Sequence, residues 1–311
     1  MSGETETVDT LTGQGHVTEI RVETPFQRFV SDYFESRIAT AAFLVLMVII
    51  FIAVFAPFVS PTNPYDLAVV SIMDSRLPPG TESFDGVMFW LGTDGAGRDL
   101  LSSIFYGLRT SLGVGVASGL IAMVIGCSIG LCAAYFGGRT DTLIMRLVDI
   151  QLSFPAILVA LMLLAILGKG VDKIIIALVI VQWAYYARTV RASALVERNK
   201  EYVEAATCLA LSHKRIVFRH LLPNCLPPLI VVVTVQTAHA ISLEATLSFL
   251  GIGLPITEPS LGLLIANGFE YMLSQKYWIS FFPGIALLIT IVTINLVGDQ
   301  LRDVLNPRLQ K

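Results

Sequence analysis

The feature that most constrains this chain is a run of uncharged apolar residues from position 38 to 59, closed by Ser60-Pro61. About 20 helical residues cross the roughly 30 Å of bilayer hydrocarbon, so this run is long enough to span. Five further apolar stretches follow at residues 111–136, 143–167, 174–186, 227–250 and 278–297. Composition agrees. Of 311 residues, 54% are hydrophobic and 14% charged, where soluble domains carry about 25% charge. The mean hydropathy is +0.72. The expected fold class is therefore an all-α polytopic membrane protein with six transmembrane helices. A net charge of -3 supplies no basic field, which speaks against nucleic acid as a partner.

The remaining chain reads as tails and loops. Residues 1–37 are polar and lack the basic start and cleavage site of a signal peptide, so they are expected to form a loose cytoplasmic tail. Residues 60–108, with four prolines and scattered acids, are expected to lie outside the hydrocarbon on the far side. Residues 109–301 form the core of five spans, and 302–311 a short tail. Cys127, Cys132, Cys208 and Cys225 have no paired spacing and read as packing residues. Gly115, Gly119, Gly126 and Gly130 make two small-xxx-small pairs, the pattern of close helix contact in lipid. Six spans put both termini on one side. The tails, the 137–146 turn and residues 188–219 hold 15 of the 21 Lys and Arg, which makes that side cytoplasmic.

Residues 197–224 form a large charged loop between the fourth and fifth spans. Val203, Ala206, Leu209 and Ala210 fall at helical spacing, an apolar stripe opposite Glu and Lys. Ser212 stands where it can cap a second helix carrying Lys214, Arg215 and Arg219. Spacing alone fits two readings: a short helix docking in a partner's groove, or a helix flat on anionic lipid.

Glu204-Ala205-Ala206 followed by Leu222-Pro223 resembles the EAA loop of binding-protein-dependent ABC importers. Other motifs agree in order: Leu91-Gly92-Thr93-Asp94 with Gly97-Arg98-Asp99, Tyr135-Phe136-Gly137-Gly138, Arg146 with Asp149, Phe154-Pro155, Leu247-Ser248-Phe249-Leu250-Gly251, Gly298-Asp299 through Asp303, and Pro307-Arg308. Over about residues 38 to 308 the chain is similar to the C-type permease of the dipeptide, oligopeptide and nickel importers. The resemblance implies the type I permease fold, with a cytoplasmic coupling helix that sits on an ATPase subunit. Tyr202, Glu204, Ala205, Ala206, Leu209, Ala210, Ser212, Arg215, Leu222 and Pro223 are the implied coupling residues. It also implies a second homologous permease, two ATP-binding subunits holding ATP and Mg, an extracytoplasmic substrate-binding protein, and a bacterial inner membrane. The implied substrate is a di- or oligopeptide, with nickel, glutathione, opines or short sugars as alternatives. Three departures stand out: Ala210 where the family has Gly at the turn, His220 before Leu-Pro where it has Ile, and Ser260-Leu261-Gly262 where it has Ser-Trp-Gly.

Polar residues inside the spans are candidates for the translocation path. An unpaired carboxylate such as Asp149 costs about 3 kcal/mol in a membrane helix, so it needs a partner or water. It reads either as a lining residue near the inner mouth, with Gln151 beside it, or as a structural pair with an arginine such as Arg146 or one from another subunit. Gln236, His239 and Ser242 recur along one face of the fifth span, with Glu244 nearby. Path lining and interhelical hydrogen bonding both fit them. Asp94, Arg98 and Asp99 are candidate outer contacts for the binding protein, or a local structural tie. Pro155 and Pro283 are candidate kinks. No phosphate loop, nucleophile elbow or zinc-protease motif occurs, so catalysis and a cofactor bound by this chain are not expected. The alternative from another class is an ion-driven secondary transporter or channel using Asp149 and Glu244; the lack of inverted halves counts against it.

Overall fold

The computed structural model describes residues 24–66, 70–83, 86–255 and 257–305. Residues 1–23 and 306–311, including Arg21, Arg308 and Lys311, lie outside the described residues. Helix α1, Pro25–Glu35, occupies part of the segment expected to be a loose tail. Its start is fixed by a capping box: the Thr24 hydroxyl accepts from the Gln27 amide at 3.3 Å, and the Gln27 carbonyl accepts from the Thr24 amide at 3.1 Å. The first span is α2, Arg37–Val54, extended by the single turn α3, Ala56–Val59. A 3₁₀ turn at Ile72–Asp74 and a two-stranded hairpin, β1 Thr81–Glu82 against β2 Met88–Phe89, follow outside it.

Helix α4, Leu100–Phe136, starts eleven residues before the expected second span. Its 37 residues measure about 55 Å, nearly twice the hydrocarbon thickness. Where the sequence predicts a third span, the chain forms a bent pair of helices, α5, Gly138–Ser153, and α6, Ala156–Leu167, which meet at 89°. The cause is local. Proline crowds the residue before it out of the helical region, and Phe154 stands at φ -93°, ψ 140°. Helix α7, Val171–Arg198, runs well past the expected end of the fourth span, so the loop after it is shorter than expected.

Next come the short helix α8, Glu201–Cys208, the turn α9, His213–Arg215, a π-helical segment, Ile216–Leu221, and α10, Leu222–Phe249. From His213 to Phe249 the helix is continuous. Helix α11, Leu261–Phe269, was not foreseen, and α12, Trp278–Leu305, is the last span. Among the described residues, five helices are long and apolar enough to cross a membrane, or up to six if the bent pair is one span.

Among the described residues the bundle has four packing centres, of which two position the site. One joins α2, α4, α10, α11 and α12 through Leu100, Ile104, Ile241, Leu261, Leu264 and Ile279. The other joins α4, α7, α8 and α10 through Leu131, Tyr186, Val190, Val203, Leu221 and Leu229. Between α4 and its neighbours the glycines do what their spacing implied. A Cβ on Gly126 or Gly130 would collide with the backbone of α7 at Trp183 and Ala187, and one on Gly115 would lie 2.5 Å from Ile241 of α10.

Candidate functional site

Helix α8 sits where α4, α7 and α10 converge. Glu201 and Glu204 in its first turn favour the positive helix N-terminus. Val203 and Ala206 are buried in the second packing centre, whereas Glu201, Glu204 and Ala205 are exposed. The expected apolar stripe therefore splits, because the helix ends at Cys208. Leu209 is 74% exposed, and Ala210 lies in the turn with φ 53°. The Leu211 amide donates to the Ala206 carbonyl at 3.2 Å and the Ala210 amide to the Thr207 carbonyl at 2.9 Å. That pair of bonds is a Schellman motif, whose left-handed position usually holds glycine. Ser212 occupies the N-cap position of α9 but its side chain makes no capping bond, contrary to expectation. Arg215 is exposed beside His213 and Lys214, Leu222 is half-buried, and Pro223 is exposed in the first turn of α10.

A polar network ties this surface to the long helices. The Tyr202 hydroxyl donates to Glu197 Oε2 of α7 at 2.7 Å and accepts from Asn224 Nδ2 of α10 at 3.1 Å. Burial and the neighbouring Glu197 carboxylate push the Tyr202 hydroxyl up to about 12, so it stays protonated and able to donate at neutral pH. Lys200 Nζ pairs with Glu197 Oε1 at 2.6 Å. The Arg198 guanidinium donates to the Ala134 carbonyl at 2.9 Å, and the Tyr135 hydroxyl lies 2.6 Å from His213 Nδ1, which brings the end of α4 into the same junction. Glu197, Arg198 and Asn224 were not singled out in the sequence; only their closeness in space gives them a role.

The intramembrane candidates separate into three groups. Asp149 pairs with Arg188 of α7, not Arg146, at 2.5 Å, and Gln151 donates to the Ile180 carbonyl at 3.2 Å. Gln236 is buried with its carbonyl accepting from Gln182 Nε2 at 3.0 Å, while His239 is exposed and Ser242 half-buried along the same helix. Glu244 does not share their face. It is 0% exposed, held by Ser111 at 2.8 Å, by Ser248 at 2.7 Å, and by Ser260. Ser260 also caps α11 through the Leu263 amide. This carboxyl thus closes the contact of α4, α10 and α11 and faces no open space.

A cavity of about 830 Å³ lies among α5, α7, α10 and α12. Arg188, Gln236, Asn224, Asp299 and Arg302 line it over an apolar wall of Pro227, Pro228, Val231 and Val235. It begins at Asn224, next to Tyr202, and ends at Gln236. Asp94, Arg98 and Asp99 lie elsewhere, ahead of α4, and all three are buried. Arg98 Nε donates to Asp94 Oδ2 at 2.7 Å, the Ala96 and Arg98 amides donate to Asp94 Oδ1, and Asp99 caps α4 through the Ser102 amide at 3.0 Å. The Asp94 carboxylate, Arg98 Nε and Asp99 Oδ2 are committed to this local tie, while Asp99 Oδ1 is buried without a hydrogen-bond partner among the described residues. Among the described residues, no three His, Cys, Asp or Glu side chains cluster as metal ligands would.

Residues 122–311 match the family described as binding-protein-dependent transport system inner membrane component. Residues 24–79 match the N-terminal transmembrane domain of oligopeptide transport permease C. A permease of Brucella suis named for a peptide transport system is 43% identical over 86% of each chain. The di/tripeptide transport system permease protein DppC of Pseudomonas aeruginosa is 37% identical over 92% of this chain and 93% of its own. In fold, the chain is similar to a solved inward-facing structure of the MetNI methionine ABC transporter, with TM-score 0.55 and 21% identity over 67% of this chain and 98% of that one.

Proposed function

The chain belongs to the family of binding-protein-dependent transport system inner membrane components, and on that footing we propose that it pairs with a second, homologous permease to form the translocation path of a peptide importer. Two ATP-binding subunits holding ATP and Mg dock beneath it, and a soluble binding protein delivers di- or oligopeptides from outside. Both termini and residues 188–224 face the cytoplasm. The observation that carries the reading is α8 with its turn: outer residues Glu204, Ala205 and Leu209 open to a partner, inner residues Val203 and Ala206 seated on the junction of α4, α7 and α10.

That arrangement suits transmission of movement. Pressure on Leu209 and Glu204 cannot be absorbed by sliding of α8, because Val203 and Ala206 are close-packed and close-packed interiors transmit strain. The Tyr202 bonds pass the same displacement to α7 through Glu197 and to α10 through Asn224. Tilting of those helices as rigid bodies then exchanges access from one face of the membrane to the other. The ion-driven alternative loses support, since Asp149 is paired with Arg188 and Glu244 is enclosed by serines.

The test is reconstitution of the chain with its partner permease, ATPase subunits and binding protein in liposomes. ATP-driven uptake of a labelled dipeptide is expected. Glu204→Arg, and separately deletion of residues 203–211, should abolish uptake while the chain still inserts and the ATPase subunits still hydrolyse ATP. Normal uptake by the deletion variant would sink the assignment.

A further inference from the structure

The cavity beside the coupling surface carries charges that neither coupling nor packing uses. Asp299 and Arg302 stand three residues apart on α12, so one helical turn, about 5 Å, separates them on a common face. Both are exposed and both line the cavity. Neither hydrogen-bonds or pairs with another side chain among the described residues. Across the cavity, Arg188 is held by Asp149. Two guanidiniums, Arg188 and Arg302, and one carboxylate, Asp299, therefore line the cavity, and Asp149, outside the lining, balances Arg188 through their ion pair. The wall between them is apolar, formed by Pro227, Pro228, Val231 and Val235. Asn224 and Gln236 are twelve residues apart on α10, so the cavity reaches about 18 Å along that helix from its coupling end. Its volume of about 830 Å³ falls within the roughly 300–1,000 Å³ of ordinary small-ligand sites.

We infer that this cavity is a binding site for the zwitterionic ends of a short peptide on its way out of the path, with Arg302 taking the terminal carboxylate and Asp299 the terminal ammonium. The inference rests on the peptide reading proposed above. Charge balance carries the choice of ligand. A guanidinium matches a carboxylate with two parallel hydrogen bonds, and the nearby Asp299 makes a purely anionic ligand unfavourable. The two ends of a dipeptide lie within about 7 Å of each other, close to the one-turn spacing of Asp299 and Arg302. The apolar wall accepts side chains without selecting among them, as a carrier of mixed peptides requires. Arg188 is already neutralised by Asp149, so it shapes the opposite wall and leaves Arg302 as the uncommitted cation.

The test uses the complete complex of both permeases and both ATPase subunits, free of nucleotide in lipid nanodiscs. Val231→Cys places a thiol on the apolar wall, and its modification by a water-soluble thiol reagent is followed at that position by mass spectrometry. Alanyl-alanine at about ten times its dissociation constant should slow modification about tenfold. The N-acetylated, amidated form should leave the rate unchanged. Arg302→Gln and Asp299→Asn should each remove the protection, and Arg302→Lys should restore part of it. Equal protection by the two peptides overturns the inference, as does a thiol that is unreactive before any peptide is added, because lipid or a partner subunit then fills the cavity. ATP-driven uptake of alanyl-alanine by the unmodified complex is measured alongside. Uptake without protection overturns the inference alone; absence of uptake overturns the peptide reading and the inference with it.

Discussion

Ala210 shows how one residue records a compromise. Its φ of 53° puts an L side chain in the left-handed region, at a cost of about 1–2 kcal/mol. Alanine returns about 0.4–1 kcal/mol by restricting the unfolded chain, so Ala210→Gly should stabilise the turn by up to about 1 kcal/mol. Hydrogen exchange reads this at the Leu211 amide, whose bond to Ala206 closes the turn: exchange about fivefold slower in the glycine variant is expected, and unchanged or faster exchange refutes the strain argument. The position of that turn was legible because the motif around it carries its own spacing. The fate of the polar residues was not. Helical periodicity grouped Leu209 with Val203 and Ala206, but the helix ends one residue earlier and leaves Leu209 in the open. Glu244 was grouped with His239 by nearness in sequence, and its three serine partners come from α4, α10 and the segment leading into α11. Contacts between residues as far apart as Ser111 and Glu244 are set by packing, which a single sequence does not display.

Among the elements, the close approach of α4 to a neighbour was the most legible, because glycine spacing is a direct statement about how near two backbones come, whereas the identity of that neighbour as α7 is set by packing. Gly126 and Gly130 both meet the α7 backbone, where neither side can yield by turning a side chain. Gly113, on the same helix, has nothing within 4 Å of its missing Cβ. Gly126→Ala should therefore cost about 1–3 kcal/mol through overpacking, while Gly113→Ala should be neutral or slightly stabilising, since alanine favours a helix. Thermal unfolding of the two variants in detergent checks this, and equal midpoints would mean that α4 and α7 do not pack as described. The prolines were less legible. Pro155 stands at the 89° bend between α5 and α6 while Pro227, Pro228 and Pro283 sit inside continuous helices. The residue type is the same, but only Phe154 adopts the extended conformation that turns a missing hydrogen bond into a corner. Surrounding helices decide which way each proline resolves, so sequence marked Pro155 and Pro283 as candidate kinks without ranking them. The unforeseen α11 has the same explanation: its nine residues are too few to read as a span, and Gly262 lets it press against the backbone of Ala245.

For the whole molecule, the corner between α5 and α6 turns topology into a question of parity. If the bent pair crosses the membrane, there are six crossings and the termini share a side; if it re-enters, there are five and they do not. The basic residues choose between these. With six crossings, 15 of the 21 Lys and Arg fall on the side of the termini, including the cluster from Arg188 to Arg219. With five, that cluster lies opposite the N-terminus, and the inside loses its densest group of positive charge, against the bias that orients membrane proteins. The proposed coupling role of α8 points to the same answer, since an ATPase subunit would reach it only from the cytoplasm. Six crossings with both termini inside are therefore expected. Cysteine accessibility in sealed, right-side-out vesicles measures it: with an impermeant reagent, the thiol of Ser83→Cys should react, whereas the native, exposed Cys208 in α8 should react only after the membrane is opened. Reaction of Cys208 in intact vesicles would place α8 outside, turn the bent pair into a re-entrant element, and remove the docking surface from the only compartment that holds ATP.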